Sequence, residues 1–179
     1  MTAQGQVIAF PSGVCCNYTI MPQTQKIDDL PSRLTFIGVT CLGGAARRTA
    51  NLVTRAYNQH LAPLGIEVTQ FSILCTVALE RAKSASELAE LVGVERSTLA
   101  RNLDRLVAAG LVASEKGDGR RLVHRLTDRG SDMVAHALPL WEKAQNELVG
   151  RLPSSRDEAI RQDLRLLRKA ARGVLADSS

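Results

Sequence analysis

Aromatic residues are scarce: Phe, Tyr and Trp make up 3% of the 179 residues. A core built almost without them must be aliphatic, drawn from Leu, Val, Ile and Ala. That favours packed helices over sandwiches and barrels, which rely on aromatic and β-branched residues. Long apolar runs are also missing. None is long enough to span a bilayer, and the N-terminus lacks the charged-then-apolar pattern of a secretory signal. Cysteine is limited to Cys15, Cys16, Cys41 and Cys75. No pair has zinc-ligand spacing and no Cys-x-x-Cys occurs. Cys75 lies in the apolar run Phe71-Ser72-Ile73-Leu74-Cys75 and reads as a reduced core thiol, so a reducing cytoplasm is the default compartment. The histidines His60, His124 and His136 are too scattered for a metal site. There is no nucleotide-binding glycine loop, nucleophile elbow or paired-carboxylate motif, and Ser, His and Asp show no triad arrangement. Neither an enzyme nor a cofactor is expected.

What is present is helical periodicity. Residues 1–31 have none, and Pro11, Gly13, Pro22 and Pro31 punctuate them; they read as an N-terminal extension, either disordered or an arm across a partner. From Leu42 to Leu61, small or apolar residues recur at helical spacing, and Pro63 and Gly65 end the run. Thr69 is a candidate cap for the next helix, with Phe71, Leu74, Cys75 and Ala78 on its buried side. Ser84-Ala85-Ser86-Glu87 is a capping box that opens a short helix ended by Gly93. A second short helix carries Leu99, Leu103, Leu106 and Val107 and closes at Gly110. Two short helices about a tight Gly-containing turn make a helix-turn-helix candidate.

The period then changes. Leu111–Glu115 reads as a strand, Lys116-Gly117-Asp118-Gly119 as a turn, and Arg121–Leu126 as a second strand, giving a β-hairpin wing. Thr127 caps a long helix in which Pro139 should produce a kink. Ser155 and Glu158 form a further capping box before a last amphipathic helix. The expected fold is mainly α with a small β-hairpin wing. Residues 1–31 would be the extension, 32–64 and 128–179 a helical dimerisation region, and 65–127 a winged helix-turn-helix lobe.

Charge is concentrated in that lobe. The chain carries a net +5, and between Arg96 and Arg129 eight basic residues face four acidic ones. The second short helix places Arg96, Ser97, Thr98, Arg101, Asn102 and Arg105 opposite its leucines. Arg and Asn suit bidentate reading of guanine and adenine edges, and a helix start favours phosphate. Arg101 and Asn102 are expected nearest the bases. Arg120, with Arg121 beside it and Asp118 holding the turn, would enter a minor groove. A merely solvated, charged helix face would carry the same arginines.

The order of motifs selects between these readings. The stretch Ser86-Glu87-Leu88-Ala89-Glu90-Leu91-Val92-Gly93-Val94-Glu95-Arg96-Ser97-Thr98-Leu99-Ala100-Arg101 resembles the helix-turn-helix of the MarR family. Leu106-Val107-Ala108-Ala109-Gly110-Leu111-Val112 is similar to that family's exit into the wing. Asp118-Gly119-Arg120-Arg121, followed by Leu126-Thr127-Asp128-Arg129-Gly130, is similar to its wing signature. Leu61-Ala62-Pro63-Leu64-Gly65-Ile66 and Gln70-Phe71 match the lead-in. Each motif is weak alone, but in order they cover roughly three fifths of the chain, from Cys41 to Gly150.

The resemblance implies a homodimeric transcriptional regulator, commonly a repressor, on a pseudo-palindromic double-stranded operator, with no membrane role. It also implies release by a small-molecule effector between the dimer helices and the DNA-binding lobe. Phe36, Arg48, Leu52, Tyr57, Phe71 and Trp141 are the candidates there, and an apolar pocket with one arginine suits an aromatic acid or phenol; the alternative is that they are core and interface. Cys41 stands where organic-peroxide sensors of the family carry a reactive cysteine, at a helix start, a position that activates thiols. Gly43-Gly44 and the shortage of tyrosines (Tyr18 and Tyr57 only) depart from that subgroup.

Overall fold

A computed structural model describes residues 30–82, 84–116, 122–154 and 156–177. The chain forms two compact units, Met1–Ala46 and Arg47–Ser179. Helix α1 is Leu30–Thr40 and α2 is Leu42–Leu61, within which the unit boundary falls. The expected extension thus gives up its last two residues to α1. Pro31 is tolerated there because the first turn of a helix has no intrahelical use for its N–H. Helix α1 buries no residue.

In the second unit, a 3-10 turn at Ala62–Leu64 leads to α3 (Val68–Ala78), α4 (Ala85–Val92) and α5 (Arg96–Ala108). Strands β1 (Val112–Lys116) and β2 (Leu122–Leu126) follow, then α6 (Asp128–Gly150) and α7 (Arg156–Ala176). The strands pair antiparallel, from Val112 opposite Leu126 to Lys116 opposite Leu122. Among the described residues no single helix is long and apolar enough to cross a membrane.

Most boundaries obey local chemistry. Ser84 accepts the Glu87 N–H at 3.1 Å and so caps α4. Gly93, at φ 77°, lets the chain leave α4 in the left-handed conformation that a tight helix-turn-helix needs. Two expectations are corrected. Helix α3 is capped by Glu67 and not Thr69: Glu67 accepts the Gln70 N–H, and the Gln70 carboxamide reaches back to the Glu67 N–H at 2.9 Å. Ala78 is exposed, while Ile73 and Val77 fill the core instead. Pro139 lies inside α6, as its position in the sequence predicts. Ser155, Cys15 and Cys16 lie outside the described residues.

Two apolar clusters hold this unit together. One joins α3, α4, α5 and the hairpin root through Ile73, Leu74, Leu88, Leu99, Leu106 and Leu111. The other joins Leu61, Ile66, Phe71 and Ala137. Met133 and Val134 of α6 pack against both. His60 of α2 lies 3.1 Å from Glu147 of α6, a second tie between those helices.

Candidate nucleic-acid interface

Helix α5 has two faces because its apolar residues recur every three or four positions. Leu99, Leu103 and Leu106 are buried, and Leu99 and Leu106 are each 1% exposed. Arg96, Ser97, Arg101 and Arg105 are exposed, and Thr98 is half-buried. Arg101 Nη2 donates to Thr98 Oγ1 at 3.3 Å, a long, surface contact that leaves the guanidinium free to turn outward.

Asn102 is different. Expected beside Arg101 at the bases, it is 8% exposed, on the flank of the buried stripe. Its Nδ2 donates to the Thr98 carbonyl at 2.9 Å, while its Oδ1 is buried without a partner among the described residues. The Asn102 side chain thus turns inward and not to the outward face expected of it. A buried unsatisfied acceptor costs about 1–3 kcal/mol. Asn102→Leu is expected to raise stability by about 1 kcal/mol while leaving DNA affinity within about twofold. Chemical denaturation and a DNA titration check both, and a large loss of DNA affinity would return Asn102 to the interface.

A hydrogen-bonded junction follows α5 at the root of the hairpin. The Leu111 N–H donates to the Leu106 carbonyl at 2.9 Å, closing α5. Thr127 Oγ1 donates to the Gly110 carbonyl at 2.7 Å and accepts the Gly130 N–H at 3.0 Å, so one side chain joins the end of α5 to the start of α6. Across the strands Ser114 Oγ lies 2.8 Å from His124 Nδ1. Burial pushes the His124 pKa down, so the ring is neutral at neutral pH. A groove of about 520 Å³ runs between α5 and the hairpin, lined by Leu103, Val107, Leu122 and His124 among others. The expected wing residues Asp118, Arg120 and Arg121 lie outside the described residues.

Of the candidate effector residues, three come together. Trp141 of α6 lies 6.4 Å from Tyr57 and 6.5 Å from Phe71, centroid to centroid. Tyr57 donates its hydroxyl to Gln145 Oε1, and burial pushes its pKa up, so it stays a neutral phenol. Leu52 is 58% exposed, and Arg48 is exposed too. Nine residues separate Arg48 from Tyr57, about 13 Å along the helix, so within one chain it is not part of the trio. Phe36 is exposed in the N-terminal unit. Cys41, between α1 and α2, is exposed, and its Sγ accepts the Gly44 N–H at 3.3 Å. Cys75 is half-buried and its thiol is pushed up by burial, which suits an inert, protonated core thiol. No group of three or more metal-ligating side chains exists among the described residues.

Known proteins share sequence and fold with this chain. The MarR family model matches residues 64–121. The multiple antibiotic resistance protein MarR of Escherichia coli K12 is 34% identical over 79 residues, which are 43% of this chain and 55% of that protein. The match thus spans about half the length of this curated relative. The M. tuberculosis transcriptional regulator MosR, solved by crystallography, aligns over 76% of this chain and 98% of its own at 32% identity, with a TM-score of 0.67. The same regulator solved in complex with DNA aligns at 35% identity over 75% of this chain and 98% of that one, with a TM-score of 0.67. An M. tuberculosis MarR family protein in complex with salicylic acid aligns at 26% identity over 70% of this chain and 95% of that one, with a TM-score of 0.55. With a family model lying on the lobe that carries α4, α5 and the hairpin, and a relative matched over nearly its whole length, this chain belongs to the MarR family.

Proposed function

We propose that this chain is a dimeric, sequence-specific double-stranded DNA-binding repressor, and not an enzyme. The observation that carries the reading is α5: a short helix seated by leucines, with Arg96, Ser97, Arg101 and Arg105 turned outward beside the hairpin; the sequence between its two strands contains Arg120-Arg121. In a two-fold dimer the pair of helices would fall about one DNA turn apart and require a pseudo-palindromic operator. The dimer has surface to use. Helix α1 exposes Leu34 and Ile37, and α7 exposes Leu164 and Leu166, yet neither helix buries a residue within the chain. The DNA complex of MosR supports the same assignment here.

The effector we propose is a small aromatic acid or phenol bound near the Tyr57–Trp141–Phe71 trio, in line with the salicylic acid complex of a relative. Aromatic rings pack well in offset or tilted pairs, and a planar guest extends such a stack. A second reading rests on Cys41, whose exposed Sγ already accepts a backbone N–H. In that reading oxidation of Cys41, and not a ligand, releases DNA.

The test is a titration of duplex DNA containing candidate operators at about 50 and about 200 mM salt, where phosphate contacts must show steep salt dependence. Arg120→Ala should weaken binding to every duplex, and equal binding by wild type and variant across the salt range sinks the wing's role. Adding salicylate should both release DNA and change the emission of Trp141, the single tryptophan. Release by organic peroxide, lost in Cys41→Ser, would favour the second reading.

A further inference from the structure

Glu80 follows α3 in a left-handed conformation, φ 48°, the one non-glycine residue with positive φ among those described. Glycine is the usual occupant just past a helix end, because a Cβ is disfavoured there. A glutamate in that place keeps a backbone cost that glycine would remove, so its side chain should offset it elsewhere. It reaches across 45 residues of sequence: Arg125 Nη1 of β2 donates to Glu80 Oε1 at 2.8 Å. A cleft of about 170 Å³ lies beside the pair, between the end of α3, the start of α4 and β2.

The position of Arg125 gives this contact leverage. The hairpin has two strands, and a lone two-stranded ribbon is marginal in water. Its root rung, Val112 opposite Leu126, packs into the lobe core. The next rung outward is Ala113 opposite Arg125, and beyond it Leu122 is 55% exposed. From Arg125 to Leu122 the strand runs about 10 Å. A swing of about 10° at the root therefore moves the far end by about 2 Å, enough to lose a hydrogen bond to DNA.

We propose that Glu80 is a positioning residue: it anchors Arg125 and sets the pitch of the hairpin against the lobe. The inference rests on the reading of the hairpin as a DNA-contacting wing. It has a sign that simple electrostatics does not share. Removing an acidic charge from a DNA-binding face should tighten binding. Loosening the anchor should weaken it.

The test uses the full-length dimer and two variants, Glu80→Gln and Glu80→Gly. Amide hydrogen exchange of residues 112–116 and 122–126 is measured without DNA, with α6 as internal control, followed by a DNA titration. In both variants hairpin exchange should rise about two- to fivefold, the range of an exposed ion pair, with α6 unchanged. Glu80→Gly should nonetheless melt at the same or a higher temperature, because it sheds the left-handed strain. DNA affinity should fall about three- to tenfold for a dimer with two hairpins. Unchanged hairpin exchange in either variant overturns the anchor. Faster exchange with undiminished DNA affinity leaves the anchor standing and overturns the wing's part in the proposed function.

Discussion

Arg101→Ala is expected to lower affinity for the cognate operator by a factor on the order of 10² to 10⁴, and to flatten the preference for operator over unrelated duplex. A good bidentate arginine–guanine pair contributes about 1–3 kcal/mol of discrimination, and a two-fold dimer makes it twice. Arg101 is exposed on α5, and among the described residues its side chain makes only the long contact to Thr98, so DNA has little to break before using it. Arg105 is exposed too and lies one turn further along the same helix, where a phosphate contact is the more natural role. The pair of variants separates the two kinds of contact. Arg105→Ala should weaken all duplexes alike and reduce the salt slope, whereas Arg101→Ala should weaken the operator most. The measurement is competition binding against a scrambled duplex at fixed salt. If Arg101→Ala reduces operator and scrambled binding in the same proportion, Arg101 holds phosphate; if it reduces neither, α5 is not the reading helix.

Which of these residues sequence alone could identify follows from how local each signal is. The bounds of α2 agree with the Leu42–Leu61 expectation because an apolar period and a Pro63/Gly65 stop are both local. The same holds for α4, bracketed by Ser84 and Gly93. The fold class was legible for that reason, and the outward arginines of α5 were as well. Asn102 was misread because a polar residue is assigned outward by its type, whereas its place on the wheel, beside Leu99, Leu103 and Leu106, carries it inward. The cap of α3 was misread because Thr69 is a preferred N-cap type and Glu67 is not, and only the reciprocal Gln70 contact shows Glu67 in that place. Effector candidates could be chosen by chemical class but not by contact. Tyr57, Phe71 and Trp141 meet, while Arg48 and Leu52 remain exposed along α2. The Glu80–Arg125 pair had no signal in the sequence, because 45 residues separate two unremarkable charges and nothing local marks a glutamate for positive φ.

Gly130→Ala is expected to destabilise the second unit by about 3 kcal/mol or more, the upper range for forced overpacking. Helix propensity points the other way: alanine is favoured over glycine inside a helix by about 1 kcal/mol. Contact decides the sign. A Cβ on Gly130 would stand 2.0 Å from the Leu111 carbonyl oxygen and 3.0 Å from its carbon, and these are backbone atoms that cannot swing aside as a side-chain end does. Leu111 is 3% exposed, and its carbonyl accepts the Thr127 N–H at 3.2 Å. Making room means breaking that bond, unseating Leu111 from the core and displacing the hairpin root that β1 begins one residue later. The variant should therefore lose DNA affinity along with stability. Gly150→Ala in the same helix meets nothing within 4 Å and should be neutral or stabilising by up to about 1 kcal/mol. Denaturant unfolding of the two variants side by side makes the comparison. A Gly130→Ala protein as stable as Gly150→Ala would mean that α6 does not pass this close to the turn leaving α5, and the junction that aims the hairpin would have to be built differently.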